Sequence, residues 1–456
     1  MEGTEQLVVE TTDNPKTKPQ SSLKRKLLIT AIILIIIIII VVIIIVAVKS
    51  KDSDDKNETN SRSKRALAVL DEYPLIDGHN DLPWQLRINY RNQLSKVNLN
   101  DKYIKGYDNK RRMHNLHTSI PLLKEGKVGG QFWAAYMSCK TRENDAIRNV
   151  LEQIDVIKRF SKHYNDTFEF VTTADGILQA HKDKKIASLI GVESGMAIDS
   201  SLAVLRMLYE LGARYMTITH SCNEPWADNW KVDNVNSTDP ARSNGLSAFG
   251  REVILEMNRL GMLVDLSHVS HQTMKVALQI TRAPVIFSHS GVYAVCNHNR
   301  NVRDDILHEV KKNGGVVMVV FYNAYVNCEP NKTNTTTVES VLRHINYIKN
   351  LIGSEYVGIG SDYDGVPDVP EGLENVSKYP NIFMKLAEQG WSDTELKNLA
   401  GANLIRVFKK AEEISKQLAS EKPKETLMKV EEFFNVNGTC RKDWLEGRNA
   451  SLLGGK

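Results

Sequence analysis

Eight short apolar runs alternate with helical patterns along residues 66–416 of this 456-residue sequence, and they predict an α/β fold. The runs are continuously apolar, as strands are when a parallel sheet is buried on both faces. Eight strand–helix units in one domain predict a TIM-like (β/α)8 barrel, and a doubly wound open sheet is the alternative. A long apolar segment ahead of these units predicts an N-terminal transmembrane anchor.

The strand candidates, in chain order, are PLIDGHND, GQFWAAYMSC, IASLIGVES, RYMTITHS, MLVDLSHVS, APVIFSHSG, GVVMVVFYN and YVGIGSDYDG. Helical patterns separate most of them. Residues 145–160, for example, repeat apolar side chains at spacings of three and four, which predicts an amphipathic helix. The stretch between the first two strands is too long for a simple crossover helix and is predicted to be an insertion.

The apolar segment Leu27–Val48 contains 22 residues, of which only Thr30 is polar. As a helix it would extend about 33 Å, enough to cross a bilayer. A cleaved signal peptide is the competing interpretation, but its apolar core is about 7–15 residues long and ends at a small-residue cleavage site. Neither condition holds, so we expect an uncleaved signal-anchor that contacts the lipid bilayer through residues 27–48.

Lysines lie on both sides of this segment, so the positive-inside rule is a weak guide to its orientation. Glycosylation sequons are more informative, because all eight follow the anchor and none precedes it. They begin at Asn57, Asn165, Asn236, Asn331, Asn334, Asn375, Asn437 and Asn449. This predicts a single-pass type II glycoprotein whose barrel is extracellular or lumenal.

The predicted organisation is therefore a cytoplasmic tail (1–26), the anchor (27–48), a charged stalk (49–65), the barrel (66–416) and a polar C-terminal tail (417–456). The stalk ends in RSKR, Arg62–Arg65, which resembles a site for a basic-specific convertase. Shedding of the ectodomain after Arg65 is one hypothesis, and a solvated charge run beside the membrane is the other.

The chain has five cysteines, all beyond the anchor: Cys139, Cys222, Cys296, Cys328 and Cys440. An odd number in an oxidising compartment predicts two internal disulfides and one cysteine left for a partner chain. The spacing alone leaves the pairing open. Cys222 closely follows His220 and could be a nucleophile, but in this compartment a disulfide is the favoured interpretation.

Six of the eight strand candidates end in residues that can bind a metal or move a proton. These residues are His79, Asp81, Glu193, His220, His268, His289 and Asp362. One histidine after an apolar strand is usually structural. In a barrel, however, the carboxyl ends of the strands build the active site together. Burying so many polar groups unpaired would cost several kcal/mol each, which favours a shared cation.

Three of these histidines and two of these carboxylates would already exceed the needs of one tetrahedral zinc ion. They suit two metals about 3.5–4 Å apart, bridged by a carboxylate and a water. A bridging hydroxide would then be the nucleophile. The net charge of +4, with 25% charged residues, gives no indication of a nucleic-acid partner.

Six motifs together resemble the membrane dipeptidases, also called renal dipeptidases, of the binuclear zinc amidohydrolase superfamily. They are IDGHNDLPW, GVESG, THSCNEPWADNW, DLSHVS, IFSHSGVYAVCNHNRNV and GIGSDYDGVP, and the resemblance covers about residues 66–415. It implies a protease of the metallo-dipeptidase class with two Zn²⁺ ions per subunit on a TIM-like barrel. Some members of the family also hydrolyse leukotriene D4, cystinyl-bis-glycine and β-lactams.

The resemblance implies a first zinc at His79, Asp81 and Glu193 and a second zinc at Glu193, His268 and His289. It further implies that His220 binds substrate and supports the developing oxyanion, and that Arg300 clamps the substrate carboxylate. Asp362 would be the catalytic acid and base. The implied disulfides are Cys139–Cys222 and Cys296–Cys328, with Cys440 joining two subunits of a homodimer.

Two features depart from the family pattern. Ser194 and Met196 stand where the family commonly has a glycine and a histidine, so we expect the pocket beside Glu193, and hence substrate preference, to differ. The hydrophobic segment is at the N-terminus, whereas familiar members carry a C-terminal tail that a glycolipid replaces.

Two rival functions are weaker. Deaminases and cyclic amidases of the superfamily usually begin their site with His-x-His and often use a carboxylated lysine, whereas this chain has His-x-Asp and a glutamate. An adhesion or receptor pseudoenzyme would usually have lost a ligand, and this chain has lost none.

Overall fold

The computed structural model describes residues 21–107, 112–142, 144–329 and 335–429. Cys440 and the sequon residues Asn331, Asn334, Asn437 and Asn449 lie outside the described residues. The chain divides into an N-terminal unit that ends at Ser61 and a second unit that begins at Arg62.

The N-terminal unit is helical. Helix α1 (Ser21–Glu72) begins in it and continues past residue 61. Its segment Ser22–Val46 is long and apolar enough to cross a membrane, and none of it is buried. The helix includes the charged stretch 49–65 as well as the predicted anchor, so the stalk has regular backbone structure.

The second unit is built on a closed ring of eight parallel strands. The ring order is β1, β4, β6, β7, β8, β9, β10, β11 and back to β1. The strands are β1 (Leu75–Asn80), β2 (Lys105–Tyr107), β3 (Met113–Asn115), β4 (Val128–Tyr136), β5 (Phe168–Phe170), β6 (Ile186–Glu193), β7 (Ala213–Thr217), β8 (Leu263–Asp265), β9 (Ile286–Phe287), β10 (Val316–Val319) and β11 (Val357–Ile359). All eight predicted strands are in the ring, which confirms the barrel over the open sheet.

Amphipathic helices surround the ring. They are α2 (Leu82–Tyr90), α3 (Ile120–Glu125), α4 (Ala146–His163), α5 (Ala174–Lys182), α6 (Leu202–Glu210), α7 (Ala248–Leu260), α8 (His271–Ile280), α9 (Asp304–Asn313), α10 (Asn323–Val326), α11 (Val338–Ile352), α12 (Tyr379–Glu388), α13 (Asp393–Lys397) and α14 (Asn403–Gln417). Serine N-caps fix several starts; Ser247 and Ser270, for example, accept the backbone N–H three residues on. Helix α4 confirms the helix predicted over 145–160, with Val150, Ile154 and Ile157 buried.

The segment between β1 and β4 is the predicted insertion. It contains α2, an antiparallel hairpin of β2 and β3, and α3. Strand β5 is an additional short strand that pairs with the start of β6. Only Phe168 of its three residues is buried, so the sequence carried almost no strand signal there.

Both implied internal disulfides are present. Cys139–Cys222 joins the segment after β4 to the segment after β7, with a Cα–Cα distance of 6.1 Å. Cys296–Cys328 joins the segments after β9 and β10, with a Cα–Cα distance of 5.0 Å. Each bridge therefore lies near the carboxyl ends of the strands.

Three sequon asparagines have described side chains. Asn165 and Asn236 are exposed, whereas Asn375 is half-buried and its Oδ1 accepts the backbone N–H of Ser377 at 3.0 Å. Of Asn57 only the helical backbone is described. Glycosylation at any of these positions stays a prediction.

Close packing inside the ring positions one side chain that the site depends on. Gly191 in β6 has no Cβ, and the Tyr215 ring of β7 occupies the space that a Cβ would need. The Tyr215 side chain is fully buried. The missing methyl group therefore allows the tyrosine ring to cross the barrel interior.

We expect Gly191→Ala to lower the free energy of unfolding by about 1–3 kcal/mol, because the added methyl group overlaps the Tyr215 ring. This corresponds to a fall of roughly 2–10 °C in the thermal unfolding midpoint. Gly130→Ala in β4 is the control, since its nearest contact would be Ile76 Cγ1 at 3.3 Å, which a shift of the Ile76 side chain by a few tenths of an ångström would relieve. Equal midpoints for the two variants would contradict the packing argument.

Candidate metal centre

The polar residues predicted at the strand ends converge at one end of the barrel. They follow β1 (His79 and Asp81), β6 (Glu193), β7 (His220), β8 (His268), β9 (His289) and β11 (Asp362). All are buried except His220, which is half-buried. The structure therefore brings together all seven residues. Their roles as metal ligands or catalytic groups stay predictions.

Glu193 lies at the middle of the cluster, with its two carboxylate oxygens facing different histidines. Oε2 is 3.5 Å from Nε2 of His79. Oε1 is 3.0 Å from Nε2 of His268 and 3.3 Å from Nε2 of His289. A carboxylate in this position can share its two oxygens between neighbouring cations.

His79 connects the first half of the cluster. Its Nε2 is 3.2 Å from Oδ2 of Asp81 and 3.9 Å from Oδ1 of Asp362. Three overlapping groups of side chains place their ligand atoms within 4.8 Å of one another: His79–Glu193–His289, Glu193–His220–His268 and His79–Asp81–Asp362. His289 connects the groups, because it shares one with His79 and its Nε2 is also 2.9 Å from Nε2 of His268.

The donor atoms fit a divalent cation better than they fit one another. Nε2 of His79 is buried and has no hydrogen-bond partner, and Nε2 of His268 faces Nε2 of His289 at 2.9 Å. Nitrogens that converge in this way can bind a metal ion through their lone pairs once they are deprotonated, and histidine nitrogens and carboxylate oxygens are ligands of zinc.

The charges also fit a cation. Burial and the charge of Arg300 hold the pKa of His268 well below its usual value, and burial and His79 do the same for His289. Both imidazoles are therefore in the neutral form that binds metals. Burial raises the pKa of Asp81 to about 6 and that of Asp362 well above its usual value. Crowded buried carboxylates of this kind are stabilised by added positive charge.

Hydrogen bonds behind the cluster orient two of the histidines. The Tyr215 hydroxyl is 2.9 Å from Nδ1 of His79 and donates to the carbonyl oxygen of Gly78 at 3.2 Å. Since its one proton is used there, the hydroxyl accepts the Nδ1 proton of His79 and leaves Nε2 free to bind a metal. Tyr215 belongs to the predicted apolar strand RYMTITHS, whose local pattern gives no signal for this role.

A similar chain of hydrogen bonds supports His289. Its Nδ1 is 2.8 Å from the Ser288 hydroxyl, which donates to Asp265 Oδ2 at 2.6 Å. The sequence analysis did not single out Ser288 or Asp265. Both are fully buried. Ser288 directly precedes His289, and Asp265 is the last residue of β8, the strand that leads to His268.

Two of the converging residues have backbone conformations that L-residues adopt rarely. The φ angle is +67° at His268 and +66° at Asp362. Such conformations cost roughly 1–3 kcal/mol each and persist where surrounding structure enforces them, often at functional sites. They turn both side chains into the cavity above the cluster.

A cavity of about 600 Å³ opens over the cluster. Its lining residues include Asp81, Glu193, His220, His268 and Asp362, and its walls include Trp84, Tyr136, Tyr322 and Tyr325. A larger cavity of about 720 Å³ lies where the strands begin, and none of the predicted site residues lines it. The 600 Å³ cavity is therefore the candidate substrate site.

His220 and Arg300 lie at different depths beside this cavity. Nε2 of His220 is 3.8 Å from Oε1 of Glu193, and burial lowers the pKa of His220 to about 4, so the ring is neutral. Arg300 is almost completely buried and does not line the cavity. It donates to Ser290 Oγ at 2.9 Å and to the His289 carbonyl oxygen at 3.0 Å, while its Nε has no hydrogen-bond partner.

Ser194 and Met196 are buried, and neither lines the cavity. The Ser194 hydroxyl donates to Glu224 at 2.9 Å, and Met196 Sδ is 3.8 Å from Cys222 Sγ. Both residues contact groups behind the cavity wall. Ser194 and Met196 would therefore affect substrate preference only indirectly, by shifting the residues that line the cavity.

Comparison with protein families gives a match over most of the chain. The family described as "Membrane dipeptidase (Peptidase family M19)" matches residues 63–422, which include the whole strand ring. Dipeptidase 3 of Macaca fascicularis is 44% identical over 363 residues, or 79% of this chain and 70% of the relative. Dipeptidase 3 of Mus musculus is 43% identical over 362 residues, or 79% and 69%.

Solved structures show the same fold. A metallopeptidase from Rhodobacter sphaeroides, liganded with a phosphinate mimic of the dipeptide L-Ala-D-Ala, has a TM-score of 0.65 at 22% identity and covers 74% of this chain and 99% of that one. An amidohydrolase from Pseudomonas aeruginosa has a TM-score of 0.60 at 19% identity and covers 76% and 98%.

We expect Tyr215→Phe to weaken the binding of a divalent cation about 10–100-fold, because His79 loses the hydroxyl that sets its tautomer and orientation. Competition with a chromogenic chelator measures this affinity directly. Tyr164→Phe is a matched control, since the Tyr164 hydroxyl accepts the N–H of Leu99 outside the cluster. Unchanged affinity in Tyr215→Phe would remove this tyrosine from the site.

Proposed function

Because the chain belongs to the membrane dipeptidase family, peptidase family M19, we propose that it hydrolyses the peptide bond of dipeptides with two zinc ions at the carboxyl end of its barrel. The chain is a metal-dependent dipeptidase by its family and its relatives named Dipeptidase 3. The identity of the metal as zinc, the number of ions and the range of substrates are the proposed part.

The observation that carries the proposal is the central position of Glu193 between His79 on one side and His268 and His289 on the other. We assign His79, Asp81 and Glu193 to one zinc ion and Glu193, His268 and His289 to the second. Two zinc ions held in this way would supply an activated water molecule as the nucleophile and would polarise the scissile carbonyl group.

Asp362 is the proposed acid and base. It lines the cavity, and its Oδ1 is 3.9 Å from Nε2 of His79, so a carboxylate oxygen lies beside the point where water would be activated. Burial raises its pKa, which favours retention of a proton once it has been accepted. We propose that Asp362 takes a proton from the attacking water and passes it to the leaving amine.

His220 is proposed to hold the carbonyl oxygen of the substrate. Its neutral ring lines the cavity above Glu193 and can donate a hydrogen bond as negative charge develops on that oxygen. The low pKa means that this contact would be a hydrogen bond from a neutral donor rather than an ion pair.

Arg300 is proposed to bind the C-terminal carboxylate of the substrate. Its guanidinium is buried with one unpartnered nitrogen, and it makes no ion pair with a carboxylate within the described residues. An unpaired buried cation is costly and would gain from an incoming anion. The Tyr325 ring lines the cavity and its centroid is 5.6 Å from Arg300 Cζ, so the proposed contact requires the carboxylate to reach past the cavity wall near this ring.

Dipeptides of L,L and L,D configuration are the first substrates to test, because the Rhodobacter sphaeroides relative binds a mimic of L-Ala-D-Ala. Leukotriene D4, cystinyl-bis-glycine and a carbapenem extend the profile to the wider substrates of the family. Substrate preference among these compounds would identify the physiological class.

The cellular setting is proposed separately. The apolar helix segment and the one-sided sequons support a type II membrane protein with an extracellular or lumenal barrel. A homodimer linked through Cys440 stays a prediction, as does release after Arg65. Cleavage there would require local unwinding, because Arg62 and Arg65 are helical and donate to the carbonyl oxygens of Glu388 and Trp391.

We expect His268→Ala and Glu193→Gln to abolish hydrolysis of a simple dipeptide, with kcat/KM reduced at least about 10³-fold, because each removes a group that holds the cations. Both variants should still be produced as folded glycoproteins in amounts similar to the parent protein. His308→Ala is a control, since this histidine is exposed on α9. Full activity in either site variant would refute the assignment.

We expect purified protein to contain about two zinc ions per chain and to lose activity on chelation. Elemental analysis gives the number, and addition of zinc should restore activity with the same stoichiometry. A content near one would remove the second ion from the proposal, and a content near zero with full activity would exclude a zinc enzyme.

A further inference from the structure

One lysine lines the candidate substrate cavity. Lys140 is the only lysine or arginine among the described residues that form the wall, and the carboxylates of Asp81, Glu193 and Asp362 are the acidic groups there. The three carboxylates are close to the histidine cluster. The exposed Lys140 lies instead in the segment that follows β4. The cavity therefore has a positive group separate from the proposed zinc site.

The backbone around Lys140 is fixed beside His220. The preceding residue, Cys139, is bonded to Cys222, and its Sγ is 3.9 Å from Nδ1 of His220. Residues 139–141 form a short 3-10 helix, whose N-cap Ser138 accepts the N–H of Lys140 at 3.3 Å. The base of the Lys140 side chain is thus held against the cavity wall while its long stem can reach inward.

Hydrogen bonds also fix the two residues that follow Lys140. The Thr141 hydroxyl donates to the Ser138 carbonyl oxygen at 2.7 Å, and Arg142 Nη1 donates to the Asn223 carbonyl oxygen at 2.7 Å. The contact of Arg142 is therefore with the segment after β7. Lys140 is the cation of this segment that lines the cavity.

The ammonium group of Lys140 forms no ion pair with a carboxylate in the part of the chain that the structure describes. Other lysines do form such pairs; Lys127 pairs with Asp71, and Lys185 pairs with Glu169. An unpaired ammonium can be simply solvated, which is the usual condition of a surface lysine. At the mouth of a substrate cavity it can instead meet an anionic group on the substrate.

The volume of the cavity leaves room for such a group. A cavity of about 600 Å³ suits a drug-sized ligand and is larger than a dipeptide of two small residues requires. The main-chain carboxylate of the substrate is already assigned to Arg300. A second carboxylate would therefore have to come from a side chain.

We propose that Lys140 is a specificity-determining residue that binds a side-chain carboxylate, so that dipeptides containing glutamate or aspartate are preferred over their neutral amide counterparts. The inference rests on the proposed dipeptidase function and names a substrate class for the same cavity. The interaction would be solvent-exposed, and its strength would therefore be modest and sensitive to salt.

The test compares isosteric substrate pairs in the zinc-loaded full-length enzyme: Ala-Glu with Ala-Gln, and Glu-Ala with Gln-Ala. The measured quantity is the ratio of kcat/KM for the acidic to the amide substrate. In Lys140→Ala we expect this ratio to fall about 3–10-fold for at least one pair, with a larger fall in Lys140→Glu and a smaller one in Lys140→Arg. Raising the salt concentration should lower the ratio in the parent enzyme and leave it nearly constant in Lys140→Ala.

Lys124→Ala is the matched control, because Lys124 is an exposed lysine that lines the cavity at the other end of the barrel. Its selectivity ratio should equal that of the parent enzyme. Ratios unchanged by Lys140→Ala for both pairs would overturn the proposal and identify a solvated lysine. A parallel loss on acidic and amide substrates also leaves the ratio unchanged; it too would overturn the proposal and would instead assign Lys140 to a group that both substrates share.

Equilibrium binding of the same peptides separates this inference from the proposed function. If the parent enzyme turned over no dipeptide, a preference for the acidic peptide that Lys140→Ala removes would still support the lysine contact while the dipeptidase proposal failed. Equal binding of the acidic and amide peptides by the parent protein would overturn the Lys140 proposal independently of turnover.

Discussion

The pairing of β4 with β6 closes the eight-stranded ring, and the site depends on this closure. The two strands are paired in parallel over Gly130–Tyr136 and Ala187–Glu193, although β5 lies between them in the chain. Because every strand of the ring then points the same way, all carboxyl ends meet at one rim. The closure brings Glu193, which ends β6, within 3.5 Å of His79 of β1. His79 and Asp362, more than 280 positions apart, become neighbours through the direct pairing of β1 with β11.

The rim concentrates carboxylates and imidazoles in a buried space. Glu193 retains its charge because His79, His268 and His289 surround it, although burial alone would raise its pKa. Behind the cluster, hydroxyl groups of Tyr215 and Ser288 fix the histidine rings. The barrel therefore supplies both the donor atoms and the hydrogen bonds that aim them, and this combination favours metal chemistry over a purely structural histidine cluster.

Much of this arrangement is predictable from the sequence because continuous apolar runs end in polar residues. The positions of all eight ring strands and the convergence of His79, Asp81, Glu193, His268 and His289 follow from that pattern. Strand lengths do not follow as well, since the sixth apolar run forms only the two-residue strand Ile286–Phe287. Tyr215 is hidden in an apolar run, because a tyrosine that packs and a tyrosine that orients a histidine have the same local pattern. The burial of Arg300 outside the cavity lining is a tertiary property with no local signal.

Because the disulfide between Cys139 and Cys222 forms only under oxidising conditions, the structure of the cavity wall depends on the compartment in which the protein folds. The disulfide joins two loops that carry Lys140 and His220, and thiol-reducing conditions would release them from each other while the strand ring kept its backbone pairing. Protein produced in a reducing cytosol could thus hold its cations and still present a loosened entrance. Poor turnover in such a preparation would then reflect the missing disulfide. Comparison with protein made in an oxidising compartment would distinguish this cause from a defect in the metal centre.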